Sequence, residues 1–418
     1  IPMSVLDDKV RRVLRTIFRT AMNPAKVIGS QCSEPHYAAC KTIGEEGIVL
    51  LKNEKNILPI QPGRYRRILV VGENADRSLT KGGGSSELKT LRDISPLESL
   101  RRLYGDKLDY AQGYTSGRAI YDEVDKVDPK ENERLREEAL QKAKQADLII
   151  FIGGLNKNCK QDCENADRES YDLSFGQNEL ITALAKLQKN IVVCTFGGNA
   201  FATPWIGQVK GFVHCWYLGS MAGDALADVL SGTCNPSGKL PVTFAKKLGD
   251  YSFAQYGAEA YPGVNKQVYY KEGLFVGYRH FDTHKVTPQF PFGFGLSYTT
   301  FSYGRPRLSA NSLKGDGKLT LSVDITNTGK REGKEIVQLY IGQQSPVEER
   351  PLKELKGFEK VSLKPGETKT VDFTISKPML QYFSAKKHDW TVDNDTFAAY
   401  VCASSEDVRG KVSFSYQQ

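Results

Sequence analysis

At 418 residues, with 40% apolar and 25% charged side chains, the chain is long enough for roughly two to four domains, each with its own core. Its net charge of +8 comes from 57 basic against 49 acidic residues, in short clusters such as Arg64-Tyr65-Arg66-Arg67, and no nucleic-acid motif accompanies them. No apolar run approaches a membrane span and the N-terminus has no signal-peptide core, so neither nucleic acid nor membrane is an expected partner. A leader can be removed from a precursor, so localisation stays open, with periplasm or secretion favoured.

Residues 4 to 20 spell one amphipathic helix. Ser4 is placed to cap it, and Leu6, Val10, Val13, Leu14, Ile17 and Phe18 fall on one face. A connection with Pro24, Gly29 and Pro35 follows, so nothing nearby covers that face. Helical spacing returns from His36 to Leu51 and stops at Leu58-Pro59-Ile60 and Pro62-Gly63. Arg67-Ile68-Leu69-Val70-Val71-Gly72 reads as a buried strand. The run Gly82-Gly83-Gly84-Ser85-Ser86 lacks the Gly-Lys-Ser/Thr ending of a phosphate loop. Ser95-Pro96 opens a helix, and a charged helix over Glu131 to Gln145 leads into the strand Asp147 to Ile152. Next come a helix from Gln177, the strands Ile191 to Phe196 and Phe212 to Trp216, and a helix from Ala222 to Leu230. Strands that are apolar at nearly every position, alternating with helices, predict a mainly parallel sheet covered on both faces. His214 lies inside one of those strands and reads as a core histidine.

Between Gly154 and Gln177 stands a polar loop of over twenty residues, far longer than an ordinary strand-to-helix connection. It carries Asp162, Glu164, Asp167, Arg168, Glu169 and Asp172 at the carboxyl end of a strand, where ligands bind in open α/β sheets. A carboxyl group there can serve as a general acid, and a solvated charged loop is the plainer reading. Eight cysteines are too few for a disulfide scaffold of this length. Cys159 and Cys163 lack the neighbouring Cys or His that zinc requires, so no metal is expected; a local disulfide and two thiols both fit. From Gly249 to Tyr298 the chain turns to Gly, Pro and aromatic residues, an ordered connector. Beyond Phe301 the period becomes two: Leu319, Leu321, Val323 and Ile325 alternate with polar residues, as do Val371, Phe373 and Ile375. Short alternating strands separated by turns such as Asn327-Thr328-Gly329 and Lys364-Pro365-Gly366 predict a β-sandwich.

Several segments together resemble glycoside hydrolase family 3 of the β-glucosidase/β-xylosidase type. They are Glu45 to Asn53, Gly82-Gly83-Gly84-Ser85, Asn235-Pro236-Ser237-Gly238-Lys239-Leu240-Pro241, Tyr270 to Arg279 and Phe290-Pro291-Phe292-Gly293-Phe294-Gly295. Their order and spacing match that family's C-terminal half. The resemblance implies an α/β sandwich domain with a mainly parallel sheet, then an all-β fibronectin type III-like sandwich. The opening helix would remain from a (β/α)₈ barrel whose other parts lie on a preceding segment or separate chain. The boundaries expected are 1–22 for the barrel helix, 23–65 for a linker and lead-in helix, 66–245 for the α/β domain, 246–300 for the connector and 301–418 for the sandwich.

The resemblance also implies a retaining β-glycosidase acting on an oligosaccharide or glycoside, β-glucosidase first and β-xylosidase next, with no organic cofactor. Its nucleophilic Asp would be on the barrel, because the nearest match to the family's Ser-Asp-Trp, His388-Asp389-Trp390, falls in the sandwich. The acid/base would be Glu164, three residues before Asp167-Arg168, with Glu169 second and Asp162 a distant third. Arg168, Ser85 and Ser86 are expected substrate-binding residues. The rival reading is a non-catalytic carbohydrate-binding or interaction module derived from the same family.

Overall fold

A computed structural model describes residues 1–27, 29–61, 63–80, 85, 88–118, 123–164 and 168–418. The glycines of the 82–84 run, Ser86 and the stretch 165–167, which includes Asp167, lie outside the described residues. The chain divides into two compact units, Ile1–Ala39 and Cys40–Gln418. In the first, helix α1 (Met3–Arg19) has none of its residues buried, and the apolar face of Val10, Val13, Leu14 and Phe18 is open. Ser4 lies inside its first turn rather than at the cap. Pro2 takes that place without a side-chain hydrogen bond.

Helix α2 (Glu34–Gly47) stops short of the expected Leu51, and Val49–Asn53 form strand β1. An apolar run of this length has no periodicity that separates a helix tail from a strand. Here Val49, Leu50 and Leu51 are buried in an antiparallel pairing with strand β6 (Gly211–His214). The remaining strands of this sheet are β2 (Ile68–Val71), β3 (Leu108–Ala111), β4 (Leu148–Gly154) and β5 (Ile191–Phe196). The order is β1-β6-β5-β4-β2-β3, parallel throughout except for β1.

The period-two geometry of each strand divides its apolar residues between two cores. Leu69, Val71, Ile149, Phe151 and Val193 face one side, against helices α4 (Pro129–Ala143) and α5 (Gln177–Leu187). Ile68, Val70, Ile150, Ile152 and Cys194 face the other, against α3 (Pro96–Tyr104) and α6 (Ala222–Ser231). The α3 start is as read from sequence, with Pro96 in the first turn, where a missing N–H costs nothing; the structure adds a cap, in which Ser95 Oγ accepts the Glu98 N–H. His214 is fully buried; its Nδ1 lies 2.9 Å from Thr195 Oγ1 and its ring packs edge-on to Trp216.

A short helix, α7 (Tyr278–His284), precedes the β-sandwich. One of its sheets contains β7 (Phe301–Tyr303), β8 (Arg307–Leu308), β10 (Lys318–Asn327) and β13 (Thr368–Ser376). The other contains β9 (Ser312–Lys314), β11 (Gly333–Gln343), β12 (Glu354–Leu363), β16 (Asp395–Cys402) and β17 (Val408–Gln417). A hairpin of β14 (Tyr382–Ser384) and β15 (Asp389–Thr391) stands beside them. The alternating residues pair in register, Leu319 with Ile375, Leu321 with Phe373 and Val323 with Val371, all facing inward.

The connector ties the α/β part to the sandwich. Gly293 has φ +78°, and a Cβ there would meet the Gln338 amide at 2.2 Å, so only glycine fits. Lys239 Nζ reaches Glu335 at 3.0 Å and donates to the Gly295 carbonyl at 2.8 Å, which gives this motif lysine a packing role. Lys353 from the sandwich pairs with Asp282 of α7, at 7% and 4% side-chain exposure.

Candidate active site

The long loop leaves β4 through Gly154 and is stitched to the sheet by amide side chains. Gln177, the first residue of α5, accepts the Gly154 N–H and donates to the Gly154 carbonyl. Asn74 donates to the carbonyls of Gly153 and Leu155. Beyond them a buried polar network fixes the first turns. Glu73 accepts from Ser116 and pairs with Arg77 at 3.0 Å; Arg77 donates to Asn158 at 2.6 Å, and Asn156 donates to the Ser116 hydroxyl. Each of these five residues has a partner, which is what allows so many polar groups to be buried together. Their one visible signal is a cluster of Asn after an apolar strand.

Glu164 emerges from this base exposed to solvent. Its Oε2 accepts the Ser85 N–H at 2.6 Å. Hydrogen bonds from the Ser85 backbone and then its hydroxyl hold the carboxyl below its ordinary value. The structure therefore brings together Glu164 and Ser85, two residues that the sequence places 79 apart. Glu169 is also exposed, is ion-paired with Lys160, and is held low by it. Asp162 faces the other way, toward the turn after β5. It accepts the Gly198 N–H, the Asn199 Nδ2–H at 3.0 Å and the Tyr217 hydroxyl at 2.8 Å.

Arg168 is half-buried and its Nη2 donates to Asn199 Oδ1 at 2.6 Å and to the Ala200 carbonyl at 2.7 Å. Its Nη1 is buried with no hydrogen-bond partner among the described residues, and burial lowers the guanidinium's affinity for its proton. A cleft of about 270 Å³ is lined by Cys163, Arg168, Glu169 and Tyr261. No disulfide joins Cys159 to Cys163. Among the described residues no group of three His, Cys, Asp or Glu is arranged to hold a metal, and no helix is long and apolar enough to cross a membrane.

A doubly covered parallel sheet with a charged, anchored loop at its carboxyl edge, followed by a fibronectin-like sandwich, defines the C-terminal architecture of a class of glycosidases. The Glycosyl hydrolase family 3 C-terminal domain matches residues 48–298, and a Fibronectin type III-like domain matches residues 335–405. The chain belongs to glycosyl hydrolase family 3. It is 51% identical to a β-glucosidase of Bacteroides ovatus, over the whole of this chain and 57% of that protein. It is 37% identical to the thermostable β-glucosidase B of Acetivibrio thermocellus, over 97% of this chain and 51% of that protein. The crystal structure of a family 3 β-glucosidase of Bifidobacterium adolescentis superposes with a TM-score of 0.83 at 33% identity, covering 95% of this chain and 55% of that one. The chain thus spans little more than half the length of these curated relatives.

Proposed function

We propose that this chain is the C-terminal part of a retaining β-glycosidase that releases terminal non-reducing β-linked sugars, glucose first and xylose next. The observation that carries the reading is Glu164: an exposed carboxylate beyond the end of β4, oriented by the Ser85 N–H, in a chain half-identical to a β-glucosidase. Glu169 is engaged in an ion pair with Lys160, whereas Glu164 meets a backbone N–H, and that difference favours Glu164. The nucleophilic Asp belongs to an N-terminal barrel segment or chain. The open apolar face of α1 is consistent with a barrel helix, and the boundaries 1–22, 23–65, 66–245, 246–300 and 301–418 follow from the same reading.

The chemistry needs two carboxyl groups ~5–5.5 Å apart. The Asp carboxylate attacks the anomeric carbon while the glycosidic C–O bond breaks, and Glu164 gives its proton to the departing oxygen. In the second step the Glu164 carboxylate takes a proton from water, whose oxygen attacks the anomeric carbon and releases the Asp. Ser85 and Ser86 are assigned to the leaving-group side, and Arg168 borders the cleft.

Partner docking has support in the connector. Val268, Tyr269, Tyr270, Leu274 and Val276 are all exposed large apolar residues, and Tyr261 of the same segment lines the cleft with Arg168 and Glu169. A partner covering this surface would bring its own groups to the acid/base loop.

The test uses the complete enzyme, this chain together with the N-terminal half that the relatives carry. Glu164→Ala should lower turnover of glycosides with poor leaving groups by ~10²–10⁴-fold, and should spare the first step for acidic aryl leaving groups. Azide should restore turnover and yield the β-glycosyl azide, since a small anion enters the vacated space and needs no base. Glu169→Ala is the control. If the azide product comes from Glu169→Ala instead, the residue assignment is wrong. If neither substitution matters, the catalytic reading gives way to a binding module.

A further inference from the structure

The segment that carries Glu164 is held at both ends by one side chain. Asn199, in the turn after β5, donates its Nδ2–H to Asp162 Oδ1 at 3.0 Å and accepts Arg168 Nη2–H on its Oδ1 at 2.6 Å. Asp162 precedes Glu164 by two residues and Arg168 follows it by four. We propose that Asn199 is a positioning residue for the acid/base, clamping both ends of the 162–168 segment to the sheet and so fixing where Glu164 meets the leaving group. This rests on the reading of Glu164 given above.

An amide meets both demands at once, from two separate atoms. The carboxylate on one side requires a donor and the guanidinium on the other requires an acceptor, so the two partners dictate which way the amide points. A carboxylate at 199 would satisfy Arg168 and oppose Asp162; an alanine would release both. The Asp162 end is reinforced by Tyr217, whose hydroxyl donates to Oδ2, and by the Gly198 N–H. A Cβ on Gly198 would stand 2.8 Å from that same Oδ2, so a glycine here is what lets the carboxylate reach the backbone. The Arg168 end is reinforced by the Ala200 carbonyl. Both ends of the segment are thereby fastened to one turn, and a proton donor misplaced by about an ångström can lose on the order of a hundredfold in rate.

The clamp's polarity can be reversed without losing a bond. When Asp162→Asn is combined with Asn199→Asp, the amide oxygen introduced at position 162 accepts from Gly198 and Tyr217. The amide N–H at that position donates to the carboxylate introduced at position 199, whose second oxygen accepts from Arg168. Each single substitution sets like against like: donor against donor in Asp162→Asn, carboxylate against carboxylate in Asn199→Asp. On this chain itself, hydrogen exchange of the Gly198 amide, whose N–H is held by Asp162, should speed up by at least ~10-fold in each single variant. The double variant should return to within ~3-fold of wild type. In the complete enzyme, each single variant should lose ~10–100-fold in kcat/KM on aryl glucosides with poor leaving groups, less than ~3-fold on a dinitrophenyl glucoside, and the pair should recover.

Equal losses on both substrates, unchanged exchange in the single variants, or a double variant that stays impaired or melts far below wild type would each overturn the clamp. Glu164→Ala measured alongside separates the two ideas. If it cleaves like wild type, the acid/base reading and the positioning role fall together, whereas normal Glu164 behaviour with indifferent single variants removes Asn199 alone.

Discussion

Burial should make this fold sensitive to acid through one histidine. His214 sits at the end of β6 with its ring 4.2 Å from Trp216, 5.4 Å from Phe244 and 5.7 Å from Phe201, centroid to centroid. Thr195 meets Nδ1, and Nε2 is buried without a partner among the described residues. Burial pushes the imidazole down from an ordinary 6.5 to about 3. A depressed value means that the unfolded chain takes up the proton first. The stability contributed by a neutral His214 is therefore complete above about pH 6.5 and is lost as the pH falls toward 3. The full shift corresponds to about 5 kcal/mol, of which roughly 3 kcal/mol disappears between about pH 7 and pH 4. Urea unfolding of this chain at both pH values, wild type against His214→Phe, isolates the effect, because other titrating groups are common to the pair. The wild type should lose about 3 kcal/mol more than the variant over that interval. Parallel losses would refute the argument, as would an NMR titration showing the ring protonated near pH 5 in the folded protein.

Two further outcomes follow from other contacts. Lys353→Met strands Asp282, whose carboxyl is 4% exposed and already raised by burial, and should cost about 3–5 kcal/mol in urea unfolding; adding Asp282→Leu should recover most of it. A double variant no more stable than the single would show that the pair itself is what holds α7 to the sandwich. Leu274→Asp should leave the melting temperature of this chain nearly unchanged, since the side chain is 57% exposed, yet lower activity of the complete enzyme by at least ~10-fold through a charge buried at the proposed docking surface. Full activity would remove the connector from that interface.

Much of the fold was legible because its signals are local. The strands around Ile68, Leu148 and Ile191 are apolar runs between glycine and charge, and the sandwich declares its period in Leu319 to Ile325. Ser95-Pro96 marks a helix start, with proline in the first turn. What stayed hidden depends on contacts between distant segments. Val49 to Leu51 look like the tail of a helix until β6 pairs with them. β3 has little sequence signal, because Leu108 to Ala111 is a four-residue edge strand interrupted by Asp109. Within the loop, Glu164 and Glu169 are the same residue type five positions apart, and composition cannot rank them. Their partners differ, a backbone N–H for one and a lysine for the other. Asn199 had no signal at all, since its two partners stand 37 and 31 residues away in the sequence.

The electrostatics of Glu164 bear on how the proposed work is divided between this chain and its partner. A general acid must hold a proton at neutral pH, but the Ser85 bonds stabilise the ionised carboxylate and draw its affinity for a proton down. Little among the described residues opposes that pull, because the group is exposed and its acidic companions in the loop, Asp162 and Glu169, have their own donors. Two changes raise a carboxyl in such a place: removal of water and the approach of a second carboxylate. A barrel that closed over the loop and presented its nucleophilic Asp would bring both together. Once that Asp is consumed in the glycosyl-enzyme, the repulsion ends and the Ser85 bonds favour the charged form needed to activate water. On this reading the hydrogen bond that looks wrong for an acid is suited to the base, and the partner supplies the half of the cycle that this chain lacks.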